Sequence, residues 1–146
     1  MGYVEGRSLA ALLGVKSKGR AADTLDLARE VGKGLSVDAL DRLCSLIAPG
    51  DSKLRHLIVP KATLARRHRT PHRRLSVDEG NRLTRLARVW ALATDVWKSE
   101  AQAQRFLGEP HPLLGGRIPR ELAAETDIGA REVENLLGGL KYGTAV

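Results

Sequence analysis

With a single cysteine in 146 residues, the chain has no internal disulfide framework and suits a reducing compartment. Cys44 follows Leu40 and Leu43 and precedes Ile47 at helical spacing, which is the setting of a buried structural thiol rather than a nucleophile. Aromatic residues are scarce too, at 3% of the chain, which argues against the stacking platforms that bind single-stranded nucleic acid. No apolar run approaches the roughly 20 residues needed to cross a bilayer. The opening "MGYVEGRSLAALLGVK" has an acid before its apolar stretch and glycines within it, unlike a secretion signal. A cytoplasmic protein with no membrane partner is therefore expected. β-Branched runs are few, whereas alanine, leucine and arginine are abundant, so the expected class is all-α.

Signatures of catalysis are also missing. Gly115-Gly116 lacks the strand-to-helix context and the Lys-Ser/Thr ending of a phosphate-binding loop. No Ser/His/Asp or Cys/His arrangement has supporting local sequence. His68 and His72 are four apart, as zinc ligands on a helix often are, but Pro71 interrupts them and no acid or cysteine nearby completes a ligand set. No catalytic residue, metal or cofactor is expected.

Charge is present, and its location matters more than its total of +7. The segment "RHLIVPKATLARRHRTPHRR", Arg55 to Arg74, holds seven Lys/Arg, three of the four histidines and no acid. The rest of the chain carries 17 basic and 17 acidic residues. The whole excess thus lies in one block, which attracts a polyanion at long range.

Helix signals run the length of the sequence. "SLAALLG" is a short helix candidate capped by Ser8, and "DTLDLAREVGKG" starts at Asp23 or Thr24 and ends at glycine. "LSVDALDRLCSLIAPG" has Ser36 as N-cap, an apolar stripe and Pro49-Gly50 as its stop. "DSKLRHLIVPKATLARRHR" reads as helix, turn, helix: Asp51 or Ser52 caps the first, Leu54, Leu57 and Ile58 face inward, and Pro60 forces an extended Val59 before the second. "LSVDEGNRLTRLARVWALATDVWKSE" opens on a capping box, Ser76 with Glu79. Two adjacent stripes, Leu83/Leu86/Trp90/Ala93/Trp97 and Val89/Leu92/Val96, give it an apolar face wide enough for several neighbours or a second subunit. Ser99 and Gln102 repeat the capping-box spacing before "EAQAQRFLG". Pro119 suits the first turn of "PRELAAE". Thr126 or Asp127 caps a last helix with Val133, Leu136, Leu137 and Leu140 inward. Gly138-Gly139 interrupts it, at a cost of about 1–2 kcal/mol against alanine. An early helix end, close packing on a neighbour, or close approach by a partner would each explain the pair.

These residues resemble a known family. "ATLARRHR", "RRLSVDEGNRLTRLARVWALATDVW" and "AQRFLGEPHPLLGGRIPRELAAETDIGAREVENLLGGLKYG" are similar to the Xre/MbcA/ParS antitoxins of type II toxin–antitoxin pairs. The similarity reaches back through "LDLAREVGKGLSVDALDRL" and so covers Leu25 to Gly143. Its most specific parts are "HPLLGGRIPRELA" and "GAREVENLLGGLKYG". The resemblance implies an all-α chain with an Xre-like helix-turn-helix domain followed by a small helical C-terminal toxin-binding domain. The expected divisions are an N-terminal extension over 1–34, the helix-turn-helix and a long dimerisation helix over 35–97, and the toxin-binding domain over 98–146. It further implies a non-enzymatic protein that masks a RES-domain toxin, which breaks down NAD or transfers ADP-ribose, and that binds operator DNA to repress its own operon. Gly115, Gly116 and Arg117 would belong to the toxin-binding motif, and Lys141, Tyr142 and Gly143 to an end that projects into the toxin's NAD cleft. Lys61, Thr63, Arg66 and Arg67 match the family's recognition-helix pattern, with Arg69, Arg73 and Arg74 as further DNA-facing cations. Ile58, Pro60 and Asn81 depart from residues frequent in the family. A homodimer inside a hetero-oligomeric complex is expected. The alternative is a stand-alone helix-turn-helix repressor with a C-terminal oligomerisation or ligand module.

Overall fold

The computed structural model describes residues 6–143, and these form helices joined by short loops with no strand among them. The order is α1 (Gly6–Leu12), α2 (Thr24–Lys33), α3 (Val37–Ile47), α4 (Leu54–Ile58), α5 (Lys61–His68), α6 (Val77–Trp97), α7 (Glu100–Gly108), a 3-10 turn (Pro112–Leu114), α8 (Pro119–Glu125) and α9 (Asp127–Tyr142).

Local chemistry sets most of the starts. Asp23 and Asp26 form a reciprocal capping box at α2, and Ser76 and Glu79 do so at α6. The Ser36 hydroxyl accepts from Asp38 N at α3, and Thr126 Oγ1 accepts from Gly129 N at α9. Each meets one of the backbone donors that a helix start leaves orphaned. Ser99 accepts from Gln102 N, but the return bond from Gln102 is not made, so this is a single cap and not a box. Two expectations at the N-terminal side change. Helix α1 already begins at Gly6, so Ser8 lies within it. Neither Asp51 nor Ser52 is the N-cap of α4, where Lys53 stands; Asp51 Oδ1 instead accepts from Lys53 N at 2.7 Å.

Helix α6 is the axis of the fold, with α1, α2, α3, α4, α7, α8 and α9 all packed on it. Leu83, Leu86, Val89, Trp90, Leu92 and Ala93 are buried, Trp90 to 3% exposure. Helices of the same chain therefore cover most of the apolar face of α6, while Val96 and Trp97 near its end stay half-buried. Leu57 also departs from its expected place. It is 40% exposed, while Leu54 and Ile58 on the same short helix are buried. Cys44 is fully buried, and desolvation pushes its thiol up to about 12, which leaves it protonated and inert.

A short backbone ladder closes the helix-turn-helix from behind. Val37 N donates to Arg73 O at 2.9 Å and Leu75 N to Leu35 O at 2.7 Å, while Ser36 and Arg74 form an antiparallel bridge. Gly34 makes this possible. Its φ is +106°, and a Cβ there would lie 2.7 Å from Leu75 O.

Helix α2 is pinned by charge. Arg20 reaches Asp26 with Nη1 at 2.7 Å and Nη2 at 3.2 Å, and Asp23 N donates to Asp26 Oδ2 at 3.0 Å. The Arg20 hydrogen bond first, then the Asp23 backbone, hold the Asp26 carboxyl well below the usual carboxylate range. A depressed folded-state pKa stabilises the fold above the unfolded value near ~4 and loses that contribution as pH falls through the folded value. Thermal unfolding followed by circular dichroism from neutral to acid pH is therefore expected to show a fall in melting temperature below about pH 4. Asp26→Asn should lower the neutral-pH value and flatten that fall. An equally steep acid limb in the variant would place the sensitivity elsewhere.

Candidate functional site

Two regions collect the sequence-singled residues. The first is the α4–α5 pair. Val59 is extended (φ −132°, ψ 124°), as the following proline requires, and Arg82 Nη1 from α6 donates to Ile58 O at 3.1 Å across the turn. Only Leu64 of α5 is buried, so the rest of that helix faces solvent or the rim of the fold. No side chain caps α5, which leaves its first backbone N–H groups available to an anion.

The seven cations of the basic block do not share one fate. Arg55 pairs with Asp41 at 3.0 Å, and Arg67 pairs with the capping-box carboxylate Glu79. Arg73 approaches Asp38 at 3.5 Å, and Arg74 Nη1 donates to Gly34 O at 3.0 Å. Arg55 and Arg67 are thus largely covered by the fold, while Arg73 and Arg74 make these contacts from exposed positions. Lys61, Arg66 and Arg69 are exposed and make no ion pair among the described residues. Of the expected DNA-facing set, Arg67, Arg73 and Arg74 thus have internal partners, Thr63 is half-buried, and three cations point outward on one helix and its end. His68 Nε2 lies 2.9 Å from Asp41 Oδ2, within hydrogen-bond reach.

The second region is the C-terminal unit. "HPLLGGR" folds into a self-closed turn. His111 Nδ1 accepts from Leu113 N at 3.1 Å, Gly116 N donates to His111 O at 2.9 Å, and His111 N donates to Arg117 O at 3.1 Å. Gly115 (φ +65°) and Gly116 (φ +77°) occupy the left-handed region, where a Cβ is strained. Arg117 Nη2 holds both carboxylate oxygens of Glu125 at 2.7 Å, and Pro119 opens α8. The motif's glycines are accordingly explained by the turn, and its arginine ties that turn to the end of α8.

At the other motif, α9 runs unbroken through Gly138-Gly139 to Tyr142, with Gly143 as its left-handed cap. Lys141 folds back on Asp95, which also receives Lys98, and these two cations hold the Asp95 carboxyl below its ordinary range. Tyr142 is 49% exposed. Residues 144–146 lie outside the described residues. Neither structural reason for the glycine pair applies at Gly138, because the helix does not end there and a Cβ would meet nothing within 4 Å. Gly138→Ala is expected to stabilise the chain by about 0.5–1 kcal/mol in urea unfolding. A loss of stability would show that the open space is not open in solution.

Ties between the two regions come from far along the chain. Arg120 of α8 reaches Asp51 before α4 at 2.8 Å, and Gln104 of α7 donates to Leu46 O at 2.7 Å. Arg85 of α6 donates to Ala123 O and Ala124 O at the end of α8, and Arg88 pairs with Glu134 of α9 at 2.7 Å.

Sequence reasoning placed Trp97 only in the stripe of the long helix and His111 only within a motif, and it did not single out Phe106 or the meeting of the three. Phe106 stands 6.0 Å from the Trp97 ring and 5.7 Å from the His111 ring, centroid to centroid. These rings and Leu140 of α9 line one groove, so the start of the first motif meets the end of the second there. The available signal was scarcity: Phe106 is the chain's one phenylalanine and Trp97 one of two tryptophans.

An all-α helix-turn-helix protein carrying a second helical unit on the same long helix is the class defined by this geometry. The Antitoxin Xre-like helix-turn-helix domain matches residues 26–88, and the Antitoxin Xre/MbcA/ParS C-terminal toxin-binding domain matches residues 92–143. A protein named Antitoxin Xre from Yersinia enterocolitica (serotype O:8 / biotype 1B) is 34% identical over 119 residues, covering 80% of this chain and 79% of that protein. The chain belongs to the Xre/MbcA/ParS antitoxin family and is an antitoxin of a toxin–antitoxin system. The two matches meet inside α6, which serves both units.

Proposed function

We propose that this antitoxin neutralises a co-encoded RES-domain toxin, one that breaks down NAD or transfers ADP-ribose, by covering its active site. The carrying observation is that residues 92–143 match a toxin-binding domain. Within it, the turn at Gly115, Gly116 and Arg117 and the end at Lys141, Tyr142 and Gly143 form the toxin-facing surface. The uncrowded helix surface at Gly138 supports close approach by a partner. The protein acts in the cytoplasm and carries no catalytic activity of its own.

The helix-turn-helix binds operator DNA and represses the operon, with Lys61, Arg66 and Arg69 contacting phosphates and Thr63 at the edge of the contact. Outward cations with no internal partner support this part. The working form is a homodimer within a hetero-oligomeric complex, with its interface on a surface other than the buried face of α6.

Co-expression with the toxin in bacteria tests the main reading. The full chain is expected to restore growth, and removal of residues 141–146 to abolish that protection. The truncated core should keep its melting temperature within a few degrees, since among the described residues the cut removes the Lys141–Asp95 tie and the exposed end of α9 with its Gly143 cap. Undiminished protection by the truncated chain would take the tail out of the toxin site.

A further inference from the structure

The groove between the end of α6, α7 and the end of α9 has a volume of about 470 Å³. Trp97, Phe106 and Leu140 supply its apolar lining, and each remains half-buried rather than buried. Arg105, Glu109 and His111 supply polar groups around them. Arg105 and Glu109 are exposed and make no ion pair among the described residues. Trp97 Nε1–H is itself buried and makes no hydrogen bond among the described residues. In a chain so poor in aromatic rings, two of them and an unpaired arginine are gathered at one concavity. Trp and Arg are the residue types that dominate binding energy at protein interfaces, and apolar anchors seat in pockets of this kind.

We infer that this groove is a specificity pocket for the toxin, taking one apolar side chain of the toxin with a neighbouring toxin carboxylate set against Arg105. The inference rests on the proposed antitoxin reading and locates a contact within it. Three observations choose this occupant. Every lining residue lies inside the matched toxin-binding domain, so the pocket is continuous with that interface. It joins His111, which closes the Gly115-Gly116 turn, to Leu140, which immediately precedes the tail. Arg105 is exposed at the groove and makes no ion pair among the described residues, so its guanidinium is available to a toxin carboxylate. The pocket is separate from the tail and acts by shape and charge, so it selects among toxins that share the same active-site chemistry.

The test uses the full-length chain and the purified co-encoded toxin, with binding measured by titration calorimetry. Arg105→Glu reverses the charge at the pocket, and Gln102→Trp fills it from the exposed face of α7. Both positions are exposed, so far-UV circular dichroism and melting temperature should match the parent. Each variant is expected to lose about tenfold or more in affinity, and the Arg105→Glu loss should shrink at high salt. Affinities within twofold of the parent for both variants would overturn the pocket while leaving the antitoxin reading intact. A parent chain that fails to bind the toxin would overturn that reading and the pocket with it. Changes confined to self-association in sedimentation would assign the groove to a second copy of this chain and also overturn the inference.

Discussion

Replacing Lys61, Arg66 and Arg69 together by alanine is expected to weaken operator binding roughly a hundredfold at physiological salt. The same variant should flatten the plot of log affinity against log salt by about 2.7, or 0.9 for each phosphate contact removed. The choice of these three follows from what the other cations already do. Arg55, Arg67, Arg73 and Arg74 hold Asp41, Glu79, Asp38 and the Gly34 carbonyl. Arg67→Ala should therefore act mainly on the fold. It strands Glu79, a buried carboxylate that also accepts from Ser76 N at 2.8 Å, and should cost about 1–2 kcal/mol. Fluorescence anisotropy across a salt series, with urea unfolding of each variant, separates the two effects. An unaltered salt slope in the triple variant would take α5 out of the DNA interface.

Gly129→Ala is expected to destabilise the chain by about 3 kcal/mol or more, on the order of 10 °C in melting temperature. Thr126 both ends α8 and caps α9, so the two helices meet with one residue between them. A Cβ at Gly129 would lie 2.3 Å from Leu122 O and 2.9 Å from Thr126 Oγ1. The first atom is backbone within a helix whose end is already held by Arg85, so it cannot yield cheaply. The second is the cap itself. The same substitution nine residues on, at Gly138, is expected to stabilise. Calorimetric melting of the pair checks the contrast in sign. Equal effects at both sites would mean that the α8–α9 corner relaxes freely.

That contrast marks the reach of sequence reasoning. "DIGAREV" and "LLGGLK" both carry glycine in a helical pattern, and helix propensity treats them alike. They differ through the carbonyl of Leu122, seven residues before Gly129, and through nothing at all near Gly138. The caps at Asp23, Ser36, Ser76 and Thr126 were legible because donor and acceptor lie within four residues of each other. Leu57 was misplaced because a five-residue helix is too short for its periodicity to fix an inward face.

The candidate sites divide along the same line. The basic block was visible as a charge excess, and the helix–turn–helix as a proline between two short apolar patterns. Which cations find a partner inside the fold depends on Asp38, Asp41 and Glu79, between 12 and 35 positions away in sequence. The groove lay beyond reach for the same reason: Leu140 stands far along the chain from Trp97 and Phe106, and no local pattern joins them.

By itself the sequence determined the all-α class, the caps at Asp23, Ser36, Ser76 and Thr126 and the burial of most of the α6 stripes. These rest on backbone hydrogen bonds and side-chain spacing within one or two turns. Only the tertiary structure decided what covers those stripes, and for most of their length it is neighbouring helices of the same chain, above all α7, α8 and α9. It likewise decided which arginines remain free to meet a polyanion and where the two C-terminal motifs converge. The physical reason is that apolar burial is non-directional: a stripe specifies that it must be covered, not by which partner.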